Sequence, residues 1–238
     1  MRSLIVAIFL ILLVQFQAQA NSRVHLKSRD MIELPKLLPT TYHIANEEKT
    51  NCKGKYRSRR YSGSERTNIL TPRGTKIARV CSRFAAVLAM EGTGILSSAN
   101  GGHTVNWASN YRYKVMKKCK YGLGVKGLCL LPFHTIAADN KVHRAGDIIY
   151  IPFVKQANIT LPDGSIHSGL FQVRDTGGAF QGVGAKRVDL FVHTQNDQEN
   201  IFLKKNIHKP NSFQAFKLID ESKDQAITYL KEKFPDIY

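Results

Sequence analysis

One stretch, Arg174–His193 (RDTGGAFQGVGAKRVDLFVH), constrains the 238-residue chain more than any other. Its four glycines, Gly177, Gly178, Gly182 and Gly184, mark a backbone that turns tightly or lets another segment approach closely. Val188–Val192 follows as a short strand, rich in β-branched and aromatic residues. That strand carries Asp189, and an acid among apolar neighbours is costly unless it is paired, hydrogen-bonded or facing a cleft. Asp175 opens the same turn. Two carboxylates therefore bracket one glycine-rich segment, as carboxylate chemistry requires.

Short strands, glycine turns and few helices between Leu130 and Val192 suit a small β-barrel. Leu130–Ala138 and Ile148–Val154 read as strands, and Pro162-Asp163-Gly164 as the turn of a hairpin between Asn158–Leu161 and Ser168–Val173. Helical spacing of Ile77, Val80, Cys81, Phe84 and Leu88 predicts a helix over Thr75–Met90, capped by Thr75 and stopped by Gly92. A second, amphipathic helix is expected over Glu221–Phe234, built on Ile227, Leu230 and Phe234 and stopped by Pro235. The expected division is a leader at 1–20, a polar and basic arm at 21–74, a barrel domain at 75–205 and a helical extension at 206–238.

Met1–Ala20 has the form of a secretory signal peptide: Arg2, an apolar core over Leu4–Val14, and Ala18-Gln19-Ala20 as a small-x-small cleavage site. Its apolar run is short for a membrane span, and none is expected in the mature chain. Removal of the leader takes one Arg and no acid, lowering the formal charge from +17 to +16. So basic an exported protein points to anionic partners, such as cell-envelope polymers, lipopolysaccharide or nucleic acid. Four cysteines in an oxidising compartment predict two disulfides. Cys119 and Cys129 enclose the basic loop KYGLGVKGL and are expected to pair, leaving Cys52 with Cys81. No C-x-x-C spacing supports a zinc site, and no metal or cofactor is expected. The basic run YRSRRYSGSER, from Tyr56 to Arg66, reads either as a glycan- or phosphate-binding surface or as a solvated loop. Trp107, with His103, Tyr111 and Tyr113 around it, offers either a sugar-stacking face or a core residue.

The segment Asp175-Thr176-Gly177-Gly178-Ala179-Phe180, followed by Arg187-Val188-Asp189-Leu190-Phe191-Val192, resembles the three-aspartate (3D) domain of the family of membrane-bound lytic transglycosylase A. That signature is D-[TV]-G-G-A-I-[KR]-G and then a strand with a further Asp. The upstream Asp of the trio matches Asp139, within Ala137-Ala138-Asp139, and Ile148-Ile149-Tyr150-Ile151-Pro152 matches the far end of the same motif. Asn140 replaces the family's Pro, and Val142–Gly146 replaces its I-P-L-G segment. Met90-Glu91-Gly92-Thr93-Gly94 matches the family's [LM]-E-G-T-G. The resemblance covers Thr75–His193.

That resemblance implies a six-stranded double-psi β-barrel whose three Asp share a cleft. It implies an exported peptidoglycan lytic transglycosylase that breaks the β-1,4 bond between N-acetylmuramic acid and N-acetylglucosamine, with a 1,6-anhydro product. Asp189 is the expected acid/base, with Asp175 and Asp139 orienting it or stabilising positive charge. Glu91 either lines the cleft or is a helix-terminal acid held by local hydrogen bonds. Backbone N–H groups at Thr176, Gly177 and Gly178 are candidates for binding sugar oxygens. Lys186 and Arg187 are candidates for muropeptide carboxylates. Two other readings stay open: a non-catalytic barrel that binds cell-wall glycan, and a basic exported protein that binds nucleic acid or lipopolysaccharide.

Overall fold

The computed structural model describes residues 24–53, 56–57, 62–63, 66–193 and 200–238. The leader at 1–20, most of the basic run between Tyr56 and Arg66, and most of the polar turn expected at Gln195–Asn200 lie outside them. Among the described residues fourteen strands follow in chain order. They are β1 (Met31–Tyr42), β2 (Ala45–Asn46), β3 (Tyr56–Arg57), β4 (Ser62–Gly63), β5 (Arg66–Leu70), β6 (Lys76–Cys81) and β7 (Thr93–Ile95). Next come β8 (Thr104–Ser109), β9 (Arg112–Val115), β10 (Thr135–Ala138), β11 (Ile148–Tyr150), β12 (Leu170–Asp175), β13 (Arg187–Phe191) and β14 (Phe213–Leu218). Among the described residues three α-helices join them: α1 (Ser82–Glu91), α2 (Pro152–Gln156) and α3 (Asp220–Lys233).

Six strands close into a barrel in the order β1-β13-β10-β12-β11-β14. The pairs β1/β13 and β10/β12 are parallel and the other barrel pairs antiparallel. Alternation sorts the side chains: Leu37, Ile136, Ala138, Ile149, Phe171, Val173, Val188 and Leu190 fill the interior, and the residues between them face outward. The chain leaves the barrel after β1 and builds a second sheet, β2-β7-β8-β9-β5-β6. α1 packs on that sheet through Phe84, Ala85 and Leu88. The chain then returns at β10 through the loop closed by Cys119–Cys129. A second disulfide, Cys52–Cys81, ties the entry of α1 to the segment after β2.

Several elements differ from the sequence reading. The stretch expected to be a polar arm supplies β1, a central barrel strand. Its prolines are what hid it: Pro35 sits in the register shift between Leu34 and Leu37, and Pro39 is buried opposite Val188. The expected helix Thr75–Met90 is a strand up to Cys81 and a helix only from Ser82. Over six residues the pattern of Ala78 and Val80 inward fits period two as well as a helical turn, and the turn at Thr71–Gly74 hairpins β5 onto β6. Gly92 does end α1, in the left-handed conformation at φ 77°. Ile148–Val154 divides at Pro152, whose ring suits the first position of α2. The strand expected from Leu130 begins only at Thr135, after a turn through Phe133 at φ 63°. The expected hairpin is reduced to one bridge, Thr160 to Ile166, and β12 pairs with β10 and β11 instead.

The region expected to be a helical extension contributes β14 to the barrel before α3 begins. α3 packs on the barrel as its periodicity predicts, through Ala226 and Leu230 against Ile148, Leu170 and Leu218. Asp30 anchors its first turn by accepting hydrogen bonds from Ser222 N (3.1 Å) and Oγ (2.9 Å).

Candidate active site

The barrel register brings the two turn-bracketing acids together. Ala137 of β10 lies opposite Asp175 on β12 and opposite Asp189 on β13. The two acids thus flank one small residue across two strand spacings, roughly 10 Å between their Cα atoms. Thr40 of β1 is the next neighbour beyond Asp189. Since Val188 and Leu190 point into the core, Asp189 points out of the barrel, toward the second sheet.

Glu91 approaches from the second sheet at the C-terminal end of α1. Its Oε2 accepts a hydrogen bond from His43 N (3.3 Å), and its Oε1 lies 3.6 Å from His43 Nδ1. It therefore sits where the chain crosses between the two sheets, just past Tyr42. The Tyr42 hydroxyl is buried and faces the Asp175 carboxylate without reaching regular hydrogen-bond geometry. Desolvation pushes this phenol well above its ordinary range, and the negative charges of Asp175, Asp189 and Glu91 push it further. One tyrosine thus senses three carboxylates.

Burial makes all three reluctant to ionise. Asp175 is raised to about 6 by desolvation, partly offset by the Thr176 N–H and the Tyr42 hydroxyl. Asp189 is raised to about 6 by desolvation, against the pull of Arg187 and Lys209. Glu91 rises to about 7, first from burial and then from the charge on Asp189, with the His43 N–H opposing. The Oδ1 of Asp189 is buried without a hydrogen-bond partner. Such an oxygen carries a desolvation cost that only a proton or an incoming donor relieves.

A cleft of about 460 Å³ opens between the barrel and the second sheet, and Glu91, Asp175, Gly177, Trp107 and Gly124 line it. Trp107 is 37% exposed, braced edge-on by Tyr111 and Tyr113 at centroid distances of 5.0 and 5.7 Å. It is a cleft wall rather than a core residue, and a flat apolar face there suits a sugar ring. The opposite lip is the disulfide-closed loop, held by Asn106. Asn106 Nδ2 donates to Leu123 O (3.0 Å), and its Oδ1 accepts from Leu123 N (3.0 Å) and Thr93 Oγ1 (2.6 Å). Gly124 is obligatory, because a Cβ there would meet the Arg174 carbonyl oxygen at 2.0 Å.

Not every expected residue joins the cluster. Asp139 is buried, but its carboxylate is consumed by backbone: Oδ1 accepts from Lys141 N (3.0 Å), and Oδ2 from Gly182 N (3.0 Å) and Gly184 N (3.4 Å). Those N–H groups, that of Lys141 first, hold it below the usual carboxylate range. It braces the glycine turn that leads into β13. The Thr176 N–H, expected to bind substrate, donates to Asp175 Oδ1 at 2.8 Å. Thr176 and Gly177 line the cleft all the same, and Gly178 begins the short turn after them. Lys186 lines a separate recess on the outer barrel wall, and the Arg187 guanidinium lies 5.4 Å over the Phe180 ring. Tyr42 and His43 were missed in the sequence because they follow two prolines in a polar segment. The alternation through Thr40, Tyr42 and Ile44 was the one signal available. Among the described residues no group of three or more His, Cys, Asp or Glu is placed to hold a metal ion, and no helix is long and apolar enough to cross a membrane.

The 3D domain family model matches residues 134–207, a stretch that contains Asp139, Asp175 and Asp189. No curated protein sequence matches the chain. Among solved structures it is similar to a membrane-bound lytic murein transglycosylase from Agrobacterium tumefaciens, at 12% identity and a TM-score of 0.46, over 84% of this chain and 77% of that one. MltA from Escherichia coli with bound chitohexaose is similar at 10% identity and a TM-score of 0.44, over 77% and 71% of the two chains. The lytic transglycosylase LtgG of Burkholderia pseudomallei is similar at 12% identity and a TM-score of 0.36, also over 77% and 71%.

Proposed function

We propose that the chain is an exported lytic transglycosylase acting on peptidoglycan glycan strands. The observation that carries this reading is Asp189: an outward-facing carboxyl with a buried, unpartnered oxygen, raised to about 6 and near enough to Glu91 of the cleft wall for its charge to act on it. A protonated acid in this position delivers its proton to the glycosidic oxygen as the bond from C1 of N-acetylmuramic acid breaks. Asp189 is then a carboxylate. It takes the proton of the C6 hydroxyl as that oxygen attacks C1, which closes the 1,6-anhydro ring and restores the acid. No water is consumed. Asp175 and Glu91 supply negative charge near the oxocarbenium-like centre when ionised, and their mutual repulsion with Asp189 keeps one proton in the cluster.

Trp107 stacks on a sugar of the strand in this reading, and Gly177 and Gly178 leave their backbone open to its hydroxyls. Lys186 and Arg187 stand on the side of Asp189 where muropeptide carboxylates arrive. The signal-like leader and the two disulfides support an exported location, and the basic surface supports contact with anionic envelope polymers. The engagement of Asp139 by three backbone N–H groups favours one second reading, a glycan-binding barrel without turnover. Mass spectrometry of sacculi digested with the purified protein separates the two. Anhydro-muropeptides support cleavage, and binding without them supports the second reading.

A further inference from the structure

Beside the acid lies a second concavity that the cleavage reading does not use. It has a volume of about 500 Å³ and is lined by Pro35, Lys36, Leu38, Lys186 and Ser212. Its position follows from the register of β1 and β13. Leu38 pairs with Arg187 and Thr40 with Asp189, so the recess and the acid lie on one outward face of the barrel. Two residues along a strand separate them, roughly 7 Å. Lys209 joins from the other side, its N–H donating to Pro39 O at 2.7 Å. Arg187 and Lys209 both stand close enough to draw the Asp189 carboxyl down.

Lys36 and Lys186 line the recess without an ion pair among the described residues, and Arg187 and Lys209 lie toward Asp189. A concavity of this size is in the range of small-ligand sites. The two lysines that line it, Lys36 and Lys186, select for negative charge. The other cleft, lined by Asp175 and Glu91, presents Trp107, Asn106 and these carboxyl groups, which suit neutral sugars and disfavour anions.

Resting on the cleavage reading, we propose that the recess of Lys36, Lys186 and Ser212 is an anionic subsite that takes a carboxylate-bearing substituent of the glycan. Neutral sugar rings occupy the Trp107 cleft. The strand is thereby held in one direction across Asp189, with its acidic substituent toward β1. The site discriminates acidic wall glycan from neutral chitin-like oligosaccharide by charge. The carboxylate has two sources: the stem peptide, or the lactyl group freed when the peptide is absent.

The test is equilibrium binding in an Asp189→Asn background, so that no strand is cut. Three probes are used: peptide-bearing glycan strands, amidase-treated strands with free lactyl carboxylates, and chitohexaose. Lys36→Gln with Lys186→Gln is expected to lower the affinity ratio of carboxylate-bearing glycan to chitohexaose about tenfold, the scale of a lost charge-assisted contact. The arm that loses affinity names the source of the carboxylate. Lys186→Glu is expected to lower the ratio further with the fold unchanged by circular dichroism. Ratios that stay within about twofold in both arms, on folded variants, would overturn the subsite. Anhydro-muropeptide formation by the unaltered protein is scored separately, so failure of the cleavage reading is distinguishable from failure of the subsite.

Discussion

Acid should weaken the seam between the barrel and α3, through a pair of buried histidines. His134 and His167 are fully buried with ring centroids 4.4 Å apart. The hydrogen bonds of His167 fix its tautomer: Nε2–H donates to Phe133 O (2.8 Å), and Nδ1 accepts from Gly169 N–H (2.9 Å). A second proton on this ring would set a donor against a donor. Burial lowers His167 from 6.5 to about 4. His134 is held well below its ordinary value by burial first and then by His167, and its ring packs against Tyr229 and Phe234 at the end of α3.

The unfolded ring binds its proton before the folded one, so stability is lost as pH falls below 6.5 and the loss is complete near 4. At pH 5 the loss from His167 is about 2 kcal/mol, approaching about 3 kcal/mol below pH 4. The buried acids have the opposite sign. Asp175 and Asp189 at about 6 and Glu91 at about 7 regain stability as they protonate on acidification. The histidine effect must therefore be read as a difference. Urea unfolding followed by far-ultraviolet circular dichroism at pH 7.5 and pH 5 is the assay, on the unaltered protein and on His167→Gln. The cost of the substitution should shrink by about 2 kcal/mol between the two pH values, because the variant has no proton to take up. An unchanged cost would refute the reasoning, since His167 would then be protonated in the folded state without penalty.

Two substitutions probe the surroundings of the site. Gly124→Ala places a methyl group against the Arg174 carbonyl oxygen, so the disulfide-closed loop must shift. A destabilisation of about 1–3 kcal/mol by urea unfolding should accompany weaker binding of chitohexaose. Asp139→Asn keeps the side-chain size but loses a carboxylate that three N–H groups require. A lower melting temperature and slower turnover are expected, with the acid limb of the pH–rate profile unmoved because Asp139 donates no proton to the substrate.

The readable parts of the sequence were those where local chemistry and tertiary role agree. The β-branched and aromatic run after the glycine turn is β13, the motif at the end of α1 places Glu91 in the cleft wall, and the closely spaced Cys119 and Cys129 are bonded. β1 was illegible because its prolines contradict a central strand, and only the register shift near Pro35 and the parallel pairing at Pro39 accommodate them. With β1 unread, Tyr42 and His43 had no visible place near the acids. Lys76–Cys81 was misread because six residues carry too little pattern to separate period two from period 3.6. Asp139 lies in the matched motif, yet its partners Gly182 and Gly184 are set by the glycine turn between Asp175 and Asp189, and spacing alone does not show which acids that turn consumes.

The central claim rests on Asp189 as proton donor, and one measurement addresses it most directly. Sacculi are digested with the unaltered protein and with Asp189→Asn, soluble products are quantified by mass spectrometry, and the fold is checked by circular dichroism. Asn keeps the size of the side chain and lacks the proton. The account predicts anhydro-muropeptides from the unaltered protein, and a loss of about 10²–10⁴ in their rate from a folded Asp189→Asn that still binds glycan. Near-normal release of anhydro-muropeptides by folded Asp189→Asn would contradict it.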